Sequence, residues 1–220
     1  MRKLFPKQIW RRLRKEALEL ERERRAKEDS SLPRTPLEQK HIASLETLLD
    51  RRELLRRLPR ESVGCELGVD RGVFTEMILE LAAPRKLHLV DTWGDERFHE
   101  GLMHDIQAKF KAQLDGGQLE INRGLSLDVL KTFPDSYFDW VYIDTDHRYP
   151  TTRDELSLSE SKVKPGGLIC GHDYTLGNWI DGKRYGVAEA VREFCVKRNW
   201  KIVYLTIEDH GFQSFALERI

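Results

Sequence analysis

Short apolar segments alternate with segments of helical periodicity from residue 60 onward, and this alternation constrains the fold more than any other feature of the chain. Strands are predicted over residues 63–67, 86–91, 118–122, 138–144 and 167–171. Helices or helical turns are predicted between and after them, over residues 72–83, 98–114, 126–133, 151–163 and 186–199. Strands that alternate with helices favour a parallel sheet that is covered by helices on both faces.

The last two predicted strands, WKIVYLTI and FQSFALERI, are separated only by EDHG. A connection this short can join only antiparallel neighbours, because a parallel pair needs a crossover of a dozen or more residues. The sheet is therefore expected to contain seven strands, most of them parallel, and to end in an antiparallel hairpin.

The N-terminal part of the chain has a different pattern. Residues 7–28 contain no Gly or Pro, and an amphipathic helix is predicted there from apolar positions at a spacing of four, which are Phe5, Ile9, Leu13 and Ala17. A second helix is predicted over residues 37–58, after the prolines of SSLPRTP and before Pro59. These helices define an expected extension over residues 1–59, followed by one domain over residues 60–220.

Charge is distributed unevenly along a chain whose formal net charge is zero. Residues 1–30 contain eleven Lys or Arg and six Asp or Glu, so this segment carries a charge of +5 and the remainder −5. A basic amphipathic helix can contact phosphate-rich partners or an anionic membrane surface. The interpretation that we favour is a solvated helix face.

No segment approaches the roughly 20 apolar residues that a transmembrane helix needs, and the start MRKLFPKQIWRRLRKE lacks the apolar core of a signal peptide. A cytoplasmic location is therefore expected. The cysteines Cys65, Cys170 and Cys195 lie in apolar contexts and do not pair in spacing, which favours buried and reduced thiols over disulfides or a zinc site.

A glycine loop with two acidic residues follows the first strand of the domain. The sequence ELGVDRG contains Glu66, Gly68, Asp70 and Gly72 in the spacing E-x-G-x-x-x-G, which differs from the dinucleotide fingerprint G-x-G-x-x-G. A pyrophosphate at a helix N-terminus needs amide donors without neighbouring carboxylates. A positively charged ligand therefore fits this loop better than NAD does.

Asp91 closes the second strand of the domain, 23 residues after Gly68. An acidic residue at about this distance accepts hydrogen bonds from the ribose hydroxyls of an adenosine. S-adenosylmethionine combines such a ribose with a sulfonium and an ammonium. The loop and Asp91 together therefore favour S-adenosylmethionine as the cofactor.

With ELGVDRG, Asp91 and the terminal hairpin, residues 60–220 resemble the class I S-adenosylmethionine-dependent methyltransferases. The resemblance implies an α/β, Rossmann-like fold, in which a mostly parallel seven-stranded sheet has the order 3-2-1-4-5-7-6, helices on both faces and an antiparallel C-terminal hairpin, here with an N-terminal helical extension. It implies a cofactor site whose methionine end is lined by Glu66, Gly68 and Gly72, whose ribose is bound by Asp91, and whose adenine lies near Asn122. The full cofactor-binding set expected is Glu66, Gly68, Val69, Gly72, Asp91, Thr92, Trp93, Leu125 and Ser126.

A second group of polar residues follows the fourth and fifth strands of the domain. Asp144, Asp146 and His147 come after the fourth strand, and His172 and Asp173 come after the fifth. The carboxyl ends of parallel strands meet at one edge of a sheet, so both groups are expected to face the glycine loop. Methyl transfer to a hydroxyl requires that the oxygen lose its proton, either beside a divalent metal or to a histidine that acts as general base.

The segments IDTDH and GGLICGHDY resemble the small O-methyltransferases related to macrocin O-methyltransferase and catechol O-methyltransferase. This resemblance implies a magnesium site formed by Asp144, His172 and Asp173. His172 departs from the oxygen ligands of the family, and its imidazole would shift the preference toward manganese, iron or zinc. The alternative is a site without metal, in which His147 or His172 is the base. The catalytic residues expected are therefore Asp144, His147 and His172.

Two loops beside these groups are candidate lids. Trp93 lies in DTWGDERFHE and could cover the adenine, and Trp179 lies in YTLGNWIDGKRYG and could stack on an acceptor ring or sugar face. In the second loop Lys183 or Arg184 could bind an anion. An ordinary surface loop is an equally good interpretation.

The expected function is methyl transfer from S-adenosylmethionine to a hydroxyl of a small molecule, such as a sugar or a polyketide. The alternatives are a nucleic-acid-modifying methyltransferase, suggested by the basic N-terminus, and an NAD-linked oxidoreductase. No nucleic-acid partner is expected, because the domain is net acidic and lacks a basic stripe with interleaved aromatic residues. The N-terminal helices are expected to form a homodimer interface or to cover the acceptor.

Overall fold

Ten strands lie in two sheets of the structure, a computed structural model that describes residues 7–94, 96–97, 99–178 and 180–220. In chain order they are β1 (Glu46–Leu48), β2 (Val63–Leu67), β3 (Lys86–Asp91), β4 (Leu119–Arg123), β5 (Phe138–Ile143), β6 (Val163–Gly171), β7 (Gly177–Asn178), β8 (Lys183–Arg184), β9 (Trp200–Thr206) and β10 (Phe215–Arg219). Eight of them form one sheet in the order β1-β9-β10-β6-β5-β2-β3-β4, and β7 and β8 form a separate hairpin.

The central part of the large sheet confirms the predicted topology. β4, β3, β2, β5 and β6 run parallel to one another. β10 pairs antiparallel with both β6 and β9, so the C-terminal hairpin is confirmed. The order β4-β3-β2-β5-β6-β10-β9 corresponds to the expected order 3-2-1-4-5-7-6.

Helices cover both faces of this sheet, as predicted. They are α1 (Lys7–Ser31), α2 (Arg51–Arg57), α3 (Val73–Leu81), α4 (Glu100–Lys109), α5 (Lys111–Asp115), α6 (Ser126–Thr132), α7 (Tyr149–Lys162) and α8 (Val187–Arg198), with a 3-10 helix at Gln39–His41. Ile78 of α3 is fully buried in the core on one face, and Leu156 of α7 is fully buried in the core on the other. Cys65, Cys170 and Cys195 are buried free thiols, which confirms that prediction.

The prediction of seven strands is wrong, because β1 adds an eighth strand at the edge of the sheet. Glu46 pairs with Tyr204, and Leu48 pairs with Thr206, in a parallel ladder with β9. Without β1, the outer hydrogen-bonding groups of β9 would form an exposed sheet edge. The strand therefore completes the sheet with residues from the segment expected to be an extension.

The single helix predicted over residues 37–58 is also wrong. That segment contains the 3-10 helix, β1 and α2. Asp50 starts α2, since its carboxylate accepts a hydrogen bond from the Glu53 amide at 2.9 Å. The leucine spacing that suggests a continuous helix thus includes a strand and a capped helix.

The helix predicted over residues 98–114 is likewise two helices, α4 and α5, which separate at Phe110. Phe98 lies outside the described residues.

The first helix, α1, is slightly longer than predicted and buries none of its side chains. Phe5, which belongs to the predicted apolar stripe, lies outside the described residues. Near its end, the Asp29 carboxylate accepts a hydrogen bond from Arg184 of β8 at 3.0 Å. The division into residues 1–59 and 60–220, and the homodimer through the N-terminal helices, stay predictions. Among the described residues, no helix combines the length and the apolar character that crossing a membrane requires.

Candidate functional site

A cavity of about 480 Å³ opens at the carboxyl ends of the parallel strands. Its walls are the loops that follow β2, β3, β4 and β5. This is the edge of an open α/β sheet at which ligands bind. Predicted site residues that line the cavity are Gly68, Val69, Asp91, Thr92, Leu125, Ser126, Asp144 and His147.

The glycine loop lies directly against the loop after β5. Leu67 pairs with Val90 on one side and with Ile143 on the other. The Gly68 amide donates to the Val90 carbonyl at 2.9 Å, and the Asp144 amide donates to the Leu67 carbonyl at 2.8 Å. A Cβ on Gly68 would lie 1.9 Å from the Asp144 carbonyl oxygen, and the φ of Gly68 is +87°. Only glycine satisfies both constraints.

Asp91 organises this loop through its carboxylate. Its Oδ2 accepts hydrogen bonds from the amides of Val69 at 2.8 Å and Asp70 at 3.0 Å. Its Oδ1 accepts one from the Trp93 amide at 3.1 Å. A carboxylate has about four acceptor positions, so Asp91 can bind a ligand hydroxyl while it holds the loop.

Glu66, a residue of β2, does not line the cavity and is fully buried. The Thr75 hydroxyl donates to its Oε2 at 2.7 Å, whereas its Oε1 has no hydrogen-bond partner among the described residues. Burial raises the pKa of Glu66 to about 8, although the bond from Thr75 favours the ionised form. Glu66 is therefore protonated at neutral pH in the absence of a bound cation.

Three other predicted cofactor residues do not line the cavity. Gly72 is the N-cap of α3, with φ of 68°. Trp93 is fully buried, and its indole N–H donates to the Asp70 carbonyl at 3.1 Å, so its side chain stabilises the glycine loop. The Asn122 side-chain amide donates to the Glu120 carbonyl at 3.2 Å. These three residues therefore present no group to a ligand in the cavity.

Four of the predicted acidic and histidine residues form one cluster beside the cavity; they are Asp144, His147, His172 and Asp173. The Nε2 of His147 lies 2.8 Å from Asp173 Oδ2 and 3.2 Å from Asp144 Oδ1. The Nδ1 of His172 lies 3.1 Å from Asp173 Oδ2 and 3.8 Å from Asp144 Oδ2. The pairing of β5 with β6 brings them together, since the His172 amide donates to the Ile143 carbonyl at 3.0 Å. Asp144 and His147 line the cavity, whereas His172 and Asp173 do not.

The carboxylates of the cluster stabilise a protonated His147. Burial disfavours the charged imidazole, but hydrogen bonds to Asp144 and Asp173 outweigh burial and raise the pKa of His147 to about 9. Burial also opposes ionisation of Asp173, yet hydrogen bonds from His147 and His172 hold the pKa of Asp173 well below its usual range. His147 and Asp173 both have a φ of 59°. Such backbone geometry costs about 1 to 3 kcal/mol and is concentrated at functional sites.

The cluster also contains a donor set that fits a divalent cation. One ligand atom each from Asp144, His147 and Asp173 lies within 4.8 Å of the others. Two carboxylates and an imidazole suit manganese, iron or zinc better than magnesium, which prefers oxygen ligands. This set contains His147, whereas His172 was the histidine ligand predicted from the sequence. The His172 Nε2 is buried without a hydrogen-bond partner among the described residues.

Some cavity residues were not predicted as site residues, although three of them lie in the quoted segments ELGVDRG, DTWGDERFHE and IDTDH; they are Arg51, Arg71, Arg97, Thr145 and Thr151. Arg51 comes from the first turn of α2, and its guanidinium lies 4.8 Å from the centre of the Phe74 ring. The capping residue Asp50 is the signal that could have found it, because a helix that starts there places Arg51 at an N-terminus rather than inside a longer helix.

The loop over residues 174–186 lies next to the cluster. The ring centre of Tyr185 is 4.8 Å from that of His147. Arg184, a predicted anion ligand, instead forms ion pairs with Asp29 and Glu189 and is only 12% exposed. Trp179 lies outside the described residues, so its stacking on an acceptor stays a prediction.

Residues 65–174, which are half of the chain, match a family model described as a methyltransferase domain. The matched region contains the glycine loop, Asp91 and all four residues of the cluster. No curated protein matches the chain in sequence.

Solved structures of methyltransferases share the fold. The pyocyanin biosynthetic protein PhzM has a TM-score of 0.60 and 14% identity over 78% of this chain, which spans only 55% of PhzM. The tRNA methyltransferase TrmK of B. subtilis has a TM-score of 0.56 and 12% identity over 79% of this chain and 67% of its own. SMU.1697c of Streptococcus mutans, a candidate methyltransferase solved in complex with SAH, has a TM-score of 0.57 and 13% identity over 77% of this chain and 96% of its own. Likeness at these identities shows the fold alone.

The raised pKa of Glu66 predicts a specific pH dependence of stability. The folded chain keeps the Glu66 proton up to a pH of about 8, whereas the unfolded chain loses it near 4.5, so the free energy of unfolding falls as pH rises between these values. Glu66→Gln removes this dependence. We therefore expect the variant to gain stability relative to the native chain as pH rises from 5 to 8, measured by urea unfolding. Glu76→Gln, a change at an exposed glutamate of α3, is the control. A constant difference across this range would show that Glu66 is ionised in the folded chain.

Proposed function

The chain belongs to the family of methyltransferase domains and is an S-adenosylmethionine-dependent methyltransferase, and we propose that it transfers the methyl group to a hydroxyl of a small molecule. One observation carries this proposal: a single cavity is lined both by the glycine loop with Asp91 and by Asp144 and His147. A cofactor and an acceptor that share the cavity would be neighbours, as direct transfer between them requires.

In the proposed complex, Asp91 binds the ribose hydroxyls of the cofactor. The support is its position in the cavity wall and its remaining acceptor capacity. The adenine would lie beside Leu125 and Ser126, where Leu125 presents an apolar side chain that is 63% exposed. The sulfonium would then lie toward Asp144, whose carboxylate favours a positive charge.

The proposed reaction is a displacement at carbon. The acceptor oxygen attacks the methyl carbon, the carbon–sulfur bond breaks, and its electron pair stays on sulfur, so S-adenosylhomocysteine leaves. The hydroxyl proton goes to Nδ1 of His147, the ring nitrogen that the carboxylates leave free, and Asp144 and Asp173, which contact Nε2, stabilise the imidazolium that forms. Because the pKa of His147 is about 9, His147 has to release its own proton before it can act as base.

The residues present also fit a metal-assisted version of this reaction. A divalent cation bound by Asp144 and Asp173 would lower the pKa of the acceptor hydroxyl. In that state His147 would lose the two carboxylate partners that now keep it protonated, so its neutral form would become available. We also propose that the chain is related to the small O-methyltransferases that include macrocin O-methyltransferase and catechol O-methyltransferase. The cluster supports this relation.

The cavity favours a small acceptor over a nucleic acid. Asp70, Asp91, Asp144 and Asp146 line it together with the three arginines, so it is not the basic groove that a phosphate backbone needs. The fold does not distinguish the two substrate classes, because PhzM and TrmK share it. The cytoplasmic location stays a prediction.

Replacement of Asp91 tests the placement of the cofactor. Asp91→Ala should weaken the binding of S-adenosylhomocysteine by about 1.5 to 3 kcal/mol, the contribution of hydrogen bonds to a charged group, measured by titration calorimetry. Asp91 also holds the glycine loop, so a 2′-deoxyribose analogue of the ligand is the control. The native chain should lose affinity for this analogue, and Asp91→Ala should lose much less. An equal loss of affinity in both proteins would show that Asp91 does not bind the ribose.

Manganese binding tests the cation site without an acceptor. The native chain at pH 8 should bind Mn²⁺ in calorimetry and release protons as His147 deprotonates. Asp144→Asn should weaken binding at least about tenfold, since it removes a charged ligand. Asp146→Asn is the matched control, because the Asp146 carboxylate bonds to Arg148 and lies outside the cluster. Absence of Mn²⁺ binding to the native chain, or binding to Asp144→Asn as tight as to the native chain, would contradict a cation site that contains Asp144.

A further inference from the structure

Glu155 lies beneath the cavity and bonds to two of its walls. It belongs to α7, and none of its side chain is exposed. Its Oε1 accepts a hydrogen bond from the Ser126 hydroxyl at 2.5 Å, and its Oε2 accepts one from the Thr145 hydroxyl at 2.9 Å. Ser126 and Thr145 both line the cavity. One buried carboxylate therefore connects the first residue of α6 to the loop after β5.

A carboxylate at this position is costly to keep. Removal from water penalises the charged form, and the penalty is offset only where each oxygen is hydrogen-bonded. The next residue, Leu156, is fully buried in the core, so packing fixes the turn of α7 that carries Glu155. This helix thus presents two acceptor oxygens, one to the first residue of α6 and one to the loop after β5. The network has a defined geometry because both ends of each bond are held.

We propose that Glu155 is a positioning residue that sets the separation between the cofactor side and the base side of the site. This inference rests on the proposed function, in which Ser126 lies beside the adenine and His147 accepts the proton. Thr145 lies between Asp144 and His147 in the chain, so the bond that holds Thr145 also limits the movement of the base. Glu155 touches neither substrate nor cofactor and acts only through the two hydroxyls.

Substitutions at Glu155 separate geometry from charge. Glu155→Ala removes both bonds and frees both loops. Glu155→Gln keeps both, because the amide oxygen can accept from Thr145 while the amide N–H donates to the Ser126 oxygen. Ser159→Ala is the matched control, since Ser159 is buried in the same helix one turn later and its hydroxyl has no hydrogen-bond partner among the described residues.

The affinity for S-adenosylhomocysteine, measured by calorimetry at pH 8 on the full chain, is the readout. We expect Glu155→Ala to bind about tenfold more weakly or worse, the scale of a lost hydrogen bond to a charged group. Glu155→Gln should remain within about threefold of the native chain, and Ser159→Ala should match it. Rescue by glutamine distinguishes a positioning role from a general loss of stability.

A double-mutant cycle keeps the inference testable if Glu155→Ala fails to fold. If Glu155 joins the two hydroxyls, Ser126→Ala and Thr145→Val each break the connection, so the double variant should bind little more weakly than either single variant. Additive losses would overturn the inference, as would native affinity in a folded Glu155→Ala. Failure of the native chain itself to bind S-adenosylhomocysteine would instead overturn the proposed function, and this inference with it.

Discussion

The site depends on one close contact, in which the backbone of Gly68 lies against the carbonyl of Asp144. A Cβ at Gly68 would be 1.9 Å from that oxygen, and the Asp144 amide bonds to the carbonyl just before Gly68 at 2.8 Å. The glycine loop and the loop that carries His147 are therefore in direct backbone contact. The glycine loop and the residues Asp144 and His147 line one cavity because β2 and β5 are adjacent, and Gly68 allows the ends of these strands to meet.

Electrostatic interactions determine which groups of this site hold a proton. Glu66 and His147 are both protonated at neutral pH, for opposite reasons: burial keeps the proton on Glu66, whereas two carboxylates overcome burial to keep one on His147. A positively charged cofactor beside Glu66, or a cation between Asp144 and Asp173, would change these balances. In the proposed mechanism ligand binding and proton release are coupled, because a cation held by Asp144 and Asp173 would remove the partners that keep His147 protonated.

The sequence was informative where periodicity and loop chemistry agree and uninformative where structure depends on distant pairing. β2 and β3 have the predicted bounds, because each is a short apolar run that ends in a loop with its own signal, glycine after β2 and Asp91 at the end of β3. β1 was not predictable from its own residues, since three residues in a leucine-rich segment become a strand only when β9 offers an edge.

The cluster of acids and histidines follows from strand order, but the bridging role of His147 depends on a left-handed backbone that no spacing reveals. Glu155 was not predicted, because its partners Ser126 and Thr145 lie outside its own helix and no local spacing connects them to it.

A crystal structure of the chain with S-adenosylhomocysteine tests the central claim most directly, that one cavity unites cofactor and acceptor chemistry. The account predicts that the ribose hydroxyls bond to Asp91, that the adenine lies beside Leu125 and Ser126, and that the sulfur points toward Asp144 and His147. A ligand bound in this cavity with its sulfur directed away from the cluster, or bound elsewhere on the sheet, would contradict the account.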